Sequence, residues 1–148
     1  MIHRDMYLLE STDHGATFKG SDISKWNVGY CVMSSEAFAS GSAGSYAAWE
    51  TEKQVRFGLI DSTKAVVNDS PVAANGANQK YPALALNREG MLLAAWTEGM
   101  GWKRGGSLHW QLFDKGDQVG LRASADGVPA WSVVAAYARP NGDFVILY

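Results

Sequence analysis

Cysteine is almost absent from this chain. Cys31 is the only one in 148 residues, so no internal disulfide can form and no cysteine-rich zinc site can be built. Histidine is scarce too. His3, His14 and His109 are scattered, with no pair at metal-ligand spacing. Neither a metal nor another cofactor is expected. Charge is also low, at 19% of residues with a formal net charge of -2. A weakly acidic chain has no global pull toward nucleic acid or anionic membrane, so neither is an expected partner. No apolar run approaches the roughly 18 residues of a membrane span. The first residues, Met1-Ile2-His3-Arg4-Asp5, lack a basic segment followed by an apolar one. With no leader visible, the cytoplasm is the default expectation.

Helix signals are missing as well. Gly, Ser or Pro interrupts the chain about every ten residues, leaving few windows for three helical turns. What is present is a globular composition, 47% apolar with sixteen Gly and six Trp. Short apolar runs recur between turn residues: Met6-Leu9, Tyr46-Trp49, Val55-Ile60, Met91-Trp96, Leu108-Phe113, Val133-Ala138 and Phe144-Tyr148. Many short strands at regular spacing indicate an all-β fold.

The strands repeat. Ala47-Ala48-Trp49-Glu50-Thr51-Glu52 is echoed by Ala94-Ala95-Trp96-Thr97-Glu98-Gly99. A run, a Gly turn and a second run precede each Trp. A third copy spans Ser132 to Tyr148, with Tyr148 where Trp96 would fall. A repeat of about 50 residues with several strands per unit is the period of a β-propeller blade. Each full unit reads as four antiparallel strands. The expected strands are Met33-Ala39, Tyr46-Trp49, Val55-Ile60 and Ala65-Asn68 in one unit. In the next they are Tyr81-Leu86, Met91-Trp96, Leu108-Phe113 and Val119-Ala123. The single domain over 1–148 then divides into a half blade at 1–25, blades at 26–72 and 73–127, and a half blade at 128–148.

One turn is specific. Ser11-Thr12-Asp13-His14-Gly15-Ala16-Thr17-Phe18 fits Ser-x-Asp-x-Gly-x-Thr-aromatic. Asp13 can accept backbone N–H groups, Gly15 can supply a positive φ, and Phe18 can pack on the sheet. This stretch resembles the Asp-box of sialidase-like (BNR-repeat) β-propellers. The strand-turn-strand repeats, Trp26-Asn27 with Cys31-Val32-Met33-Ser34-Ser35, and the Ala-Ala-Trp strands are similar to the same family. Asp61-Ser62-Thr63-Lys64 and Asp114-Lys115-Gly116-Asp117 depart from the box. The resemblance implies that the box joins third and fourth strands opposite the ligand face, so Ser11, Asp13, Gly15, Thr17 and Phe18 are structural.

The resemblance also implies what sialidase chemistry would need: converging arginines, a Tyr–Glu pair and a further acid. The family's Arg-Ile-Pro element is missing. Arg88 and Arg139 fall in turns on the wrong face and Arg56 inside a strand, leaving Arg4 and Arg104. Sialidase activity is disfavoured. Paired carboxylates could still hydrolyse glycosides, with Glu50 and Glu98 as the catalytic candidates after the Trp of each second strand. The competing reading makes them solvated loop acids. The loop Gly99-Met100-Gly101-Trp102-Lys103-Arg104-Gly105-Gly106 sets an aromatic beside two cations, suited to an acidic sugar or phosphate. It reads equally as a mobile polar loop. Trp26 and Tyr81 lie in fourth-to-first-strand connections as surface candidates. Trp49, Trp96, Trp110 and Trp131 read as packing residues, and Cys31 as a small buried hydrophobe.

The expected ligand set is therefore Trp26, Glu50, Tyr81, Glu98, Trp102, Lys103 and Arg104, taking a carbohydrate or small polar molecule in an axial pocket. Three blade-equivalents cannot close a ring alone. Two copies joined by complementary half blades would make a six-bladed homodimer. The alternative is that the sequence is a piece of a longer propeller. A non-catalytic binding or assembly module is favoured over a glycoside hydrolase.

Overall fold

The computed structural model describes residues 2–61, 64–72, 78–115 and 117–148. The expected turn at Ser62-Thr63, Gly116 of the second turn and Ala73 at a unit boundary lie outside these residues. Among the described residues the chain is all-β, in several antiparallel sheets, with no helix. Two sheets are four-stranded meanders. The first runs β5 (Ala37–Gly41), β6 (Gly44–Thr51), β7 (Gln54–Asp61) and β8 (Lys64–Pro71). The second runs β9 (Lys80–Leu86), β10 (Met91–Glu98), β11 (Gly106–Asp114) and β12 (Asp117–Val128). Two hairpins flank them, β2 (Met6–Glu10) with β3 (Lys19–Ser24) and β13 (Ala135–Ala138) with β14 (Phe144–Leu147). A short pair, β1 (Ile2–His3) with β4 (Asn27–Val28), carries no apolar alternation long enough to be read from sequence.

The core is layered between the sheets. Tyr46, Ala48, Val55 and Phe57 of the first meander pack on Leu84, Leu92, Ala94, Trp96 and Phe113 of the second. The Phe57 and Phe113 rings sit 4.5 Å apart in a tilted pair. The opposite face of the second meander, through Ala83, Ala95 and Leu108, packs on Val134, Ala136 and Ile146. Central strands buried on both faces explain why β6 and β10 read as continuous apolar runs rather than alternating ones. Trp49 and Trp96 are both buried, as expected of packing residues, and Trp49 Nε1 donates to Ser24 Oγ of β3 at 3.1 Å.

Several expectations need correction. The first strand of the first meander starts at Ala37, not Met33. Its last pair is Ala37 with Ala48, and the preceding Ser34-Ser35-Glu36 leaves the sheet. Trp49, Glu50 and Thr51 therefore pair on the β7 side only. In the second meander the matching strand runs on. β9 reaches back to Lys80, opposite Thr97, through a bulge. Tyr81 in that bulge has φ 52, a left-handed conformation that an aromatic residue adopts only under strain. One meander is thus open at this end and the other closed. Cys31 is exposed rather than buried, because it lies in a connection outside every strand. Trp131 is half exposed, on a left-handed turn after β12.

The Ser11–Phe18 turn behaves as its residue types dictate. Asp13 Oδ1 accepts from the Ser11 hydroxyl at 2.8 Å and the Thr17 amide at 2.9 Å, and Oδ2 accepts from the Thr17 hydroxyl at 2.5 Å. The Gly15 amide donates to Ser11 Oγ at 2.7 Å, with Gly15 at φ 88. Bonds from Thr17, first its hydroxyl and then its amide, hold the Asp13 carboxyl down to about 2. Phe18 does not pack on the sheet but is exposed. The turn's own polar network holds it without that contact.

Candidate functional site

Glu50 and Glu98 hold similar places in the sequence and opposite ones in the structure. Glu98 ends β10 on the face of Trp96, two residues away on the same side of the strand. Its Oε1 accepts from Trp96 Nε1 at 2.9 Å, Gln79 Nε2 at 3.0 Å and Arg122 Nη2 at 2.5 Å. Its Oε2 lies 3.4 Å from His109 Nε2. Burial pushes this carboxyl up, but the Trp96 and Gln79 bonds with the His109 and Arg122 charges outweigh it. The net effect holds Glu98 below the usual glutamate range. The Gln79 amide oxygen in turn accepts from Val55 N at 2.9 Å. Gln79 therefore bridges the two meanders, and Glu98 anchors one end of the bridge. At the start of β11, Gly106 permits close approach of the Glu98 carbonyl, where any side chain would collide.

Ser107, His109 and Glu98 look like a nucleophilic triad, yet their hydrogen bonds run the wrong way. Arg122 Nη2 lies 2.8 Å from His109 Nδ1 and has only protons to offer, so Nδ1 accepts. Burial, reinforced by the Arg122 charge, keeps the imidazole below its ordinary value despite Glu98. A neutral His109 then carries its proton on Nε2, which faces Ser107 Oγ at 2.8 Å. No lone pair remains to take a serine proton. Arg122 also lies over the Trp96 ring, 5.2 Å from its centroid. This cluster is a closed structural network.

Glu50 is the open counterpart. Its side chain is 1% exposed, and neither carboxylate oxygen accepts a hydrogen bond among the described residues. Lys80 Nζ stands 3.9 Å from Oε2 but donates to the Met33 carbonyl at 3.1 Å. Burial raises the Glu50 carboxyl above its ordinary value. The nearby Ser34 hydroxyl and the Lys80 and Arg4 charges offset this only in part. The Ser34 hydroxyl is itself buried without a well-directed partner. Glu50 is among the residues that line a polar cleft of about 260 Å³, with His3, Arg4, Trp26, Ser34 and Glu36. The cleft exists because β5 stops at Ala37 and leaves this end of β6 uncovered.

A second hollow of about 150 Å³ lies on the other side of Lys80, lined by Cys31, Met33, Tyr81, Met100, Trp102 and Trp131. The Tyr81 hydroxyl is raised above its ordinary value by burial and then by the Glu50 charge. Trp102 is exposed and meets Trp131 edge to face, with centroids 4.5 Å apart.

The expected ligand residues thus separate. Trp26 and Glu50 share the polar cleft, Tyr81 and Trp102 share the aromatic hollow, and Glu98 belongs to neither. Trp26 is buried rather than on the surface, tied by Asp5 Oδ1 accepting from its amide at 2.9 Å. The Gly99–Gly106 loop is a tight reverse turn. Gly101 and Arg104 exchange both backbone bonds, and Arg104 Nε donates to the Gly99 carbonyl at 3.0 Å. Lys103 is exposed at φ 54 and meets neither hollow. Sequence reasoning overlooked Arg4's proximity to Glu50, and Ser34, Glu36, Gln79, His109 and Arg122. Alternate spacing in Trp96-x-Glu98 and Ser107-x-His109 was the available signal for the closed network. Among the described residues no cluster of three or more metal-ligating side chains forms. No protein-family model, curated protein or solved structure matches the chain.

Proposed function

We propose that this chain is a non-catalytic, sialidase-like propeller module that binds a carbohydrate or similar polyhydroxyl ligand in the cleft at Glu50. The blade reading is supported by the two four-stranded meanders whose first strands stack, β5 against β9 and β9 against β13. One observation carries the ligand: a desolvated carboxylate that lines a polar cleft and accepts no hydrogen bond among the described residues. Leaving such a group unsatisfied is costly, and the hydroxyls of a polar ligand in the cleft would satisfy it as water does. Two neighbouring sugar hydroxyls can donate to the two oxygens of one carboxylate. Arg4 supplies a cation at the rim for an acidic substituent, and the Tyr81 and Trp102 rings next door offer stacking surfaces.

A hydrolase reading has one observation in its favour. Glu50 keeps its proton to higher pH than a free glutamate, as a general acid must, with Glu36 in the same cleft and Tyr81 nearby. Glu98 cannot serve as the second carboxylate of this cleft, because it does not line it and its Oε1 already accepts from Trp96, Gln79 and Arg122.

A glycan array probed with the labelled protein tests the binding reading. Discrete glycan signals are expected, with affinity falling about 10- to 100-fold in Glu50→Gln, the loss associated with hydrogen bonds to a charged acceptor. No signal from the unaltered protein at any glycan sinks the reading. Hydrolysis of fluorogenic glycosides, abolished by Glu50→Gln, would replace binding with catalysis.

A further inference from the structure

We propose that the flanking hairpins of two copies of this chain pair with each other, β14 of one against β2 of the other, to form two shared four-stranded sheets. The template is internal. Each meander is a first-and-second-strand hairpin joined edge to edge with a third-and-fourth-strand hairpin, as β9–β10 is joined to β11–β12. The β13–β14 hairpin occupies the first position of such a sheet. β13 stacks on β9 as β9 stacks on β5. The β2–β3 hairpin occupies the last position, turning on the Ser11–Phe18 loop, bonding to β6 through Ser24 and Trp49 and lying beside β8, the outer strand of the first meander. Among the described residues, β14 and β2 each pair on one side only. Bare edges of this kind recruit strands.

The exposed apolar residues fall where a partner's hairpins would lie. In β13–β14, Ala136 and Ile146 face the second meander, so the opposite face carries Tyr137 and Leu147, both exposed. In β5, Ala37 and Ala39 face the second meander, so Phe38 points the other way and is exposed. A partner's β13–β14 beside β2 would lay Tyr137 and Leu147 over this Phe38. On β2, Leu8 is buried and Tyr7 and Leu9 are exposed on the reverse face. Placed beside a partner's β14, they would cover the outer part of the second meander, where Leu121 of β12 is 94% exposed. The two contacts are identical by a two-fold axis, so the contact closes as a dimer rather than a fibre.

This inference does not depend on the ligand. Light scattering on the full chain at about 50 µM, a concentration at which a stable interface is filled, should give twice the 16.0 kDa chain mass. Leu147→Glu and Leu9→Glu alter side chains already exposed in one copy, so each chain should fold and run as a monomer. Arg88→Glu, in an exposed turn, should remain dimeric. Amides of β2 and β14 should exchange slowly in the unaltered protein and faster in both variants. A monomer at that concentration overturns the proposal. So does a dimer whose mass and β14 exchange are unchanged by Leu147→Glu.

Discussion

Glu98→Ala is expected to cost about 3 kcal/mol of folding stability. The carboxylate is the common acceptor for the Trp96 indole, the Gln79 amide and the Arg122 guanidinium. Removing it takes a shared acceptor from three donors, two of them on fully buried residues, while Arg122 keeps its contact with His109 Nδ1. The Arg122 charge loses its partner but keeps access to water, since 30% of its side chain is exposed, which places the cost at the low end of the range for broken buried pairs. Urea unfolding with an unchanged slope would report the loss directly. A cost under about 1 kcal/mol would mean that the bridge between the meanders does not rest on this carboxylate. The pH dependence follows from the lowered value. Glu98 stabilises the fold above the ordinary glutamate range, and that stabilisation is lost as pH falls through its lowered value.

Glu50→Leu carries the opposite sign. Replacing this buried carboxylate by an apolar group of similar size should stabilise the chain by about 1 kcal/mol near neutral pH, while removing ligand binding. Among the described residues neither oxygen has a hydrogen bond to lose, and Lys80, 3.9 Å from Oε2, retains the Met33 carbonyl. The sign again follows from linkage. A carboxyl raised in the folded state favours folding most when protonated and opposes it increasingly as pH rises through that raised value. The gain from Glu50→Leu should therefore shrink in acid. Destabilisation by more than about 1 kcal/mol would show that Glu50 is held by partners and is structural, like Glu98. A stabilising substitution that abolishes binding marks a position kept for function at the expense of stability.

The sequence made much of the scaffold legible. Trp49 and Trp96 marked the two central strands because strands buried on both faces are apolar throughout and interrupted by turns. Ser11, Asp13, Gly15 and Thr17 foretold a turn whose bonds are local, and local bonds need no tertiary knowledge. The difference between Glu50 and Glu98 was not legible. It depends on where a neighbouring strand stops: Ser34-Ser35-Glu36 leaves the first sheet, whereas Lys80-Tyr81-Pro82 stays in the second through a strained bulge. Pattern alone does not fix strand ends. Arg122, His109 and Gln79 come from three separate places in the chain, so only pairing register brings them to Glu98. Trp102 read well as an exposed aromatic, and the loop that carries it closes on its own backbone bonds between Gly101 and Arg104.

One open and one closed glutamate distinguish the two meanders. Carboxyl carbon chemical shifts of both, followed against pH in the same sample, measure this contrast most directly. The Glu50 midpoint should lie above the ordinary glutamate value and the Glu98 midpoint below it. A Glu50 midpoint at or below the ordinary value would mean that its oxygens are solvated or paired, and would contradict the assignment of the cleft as a ligand site.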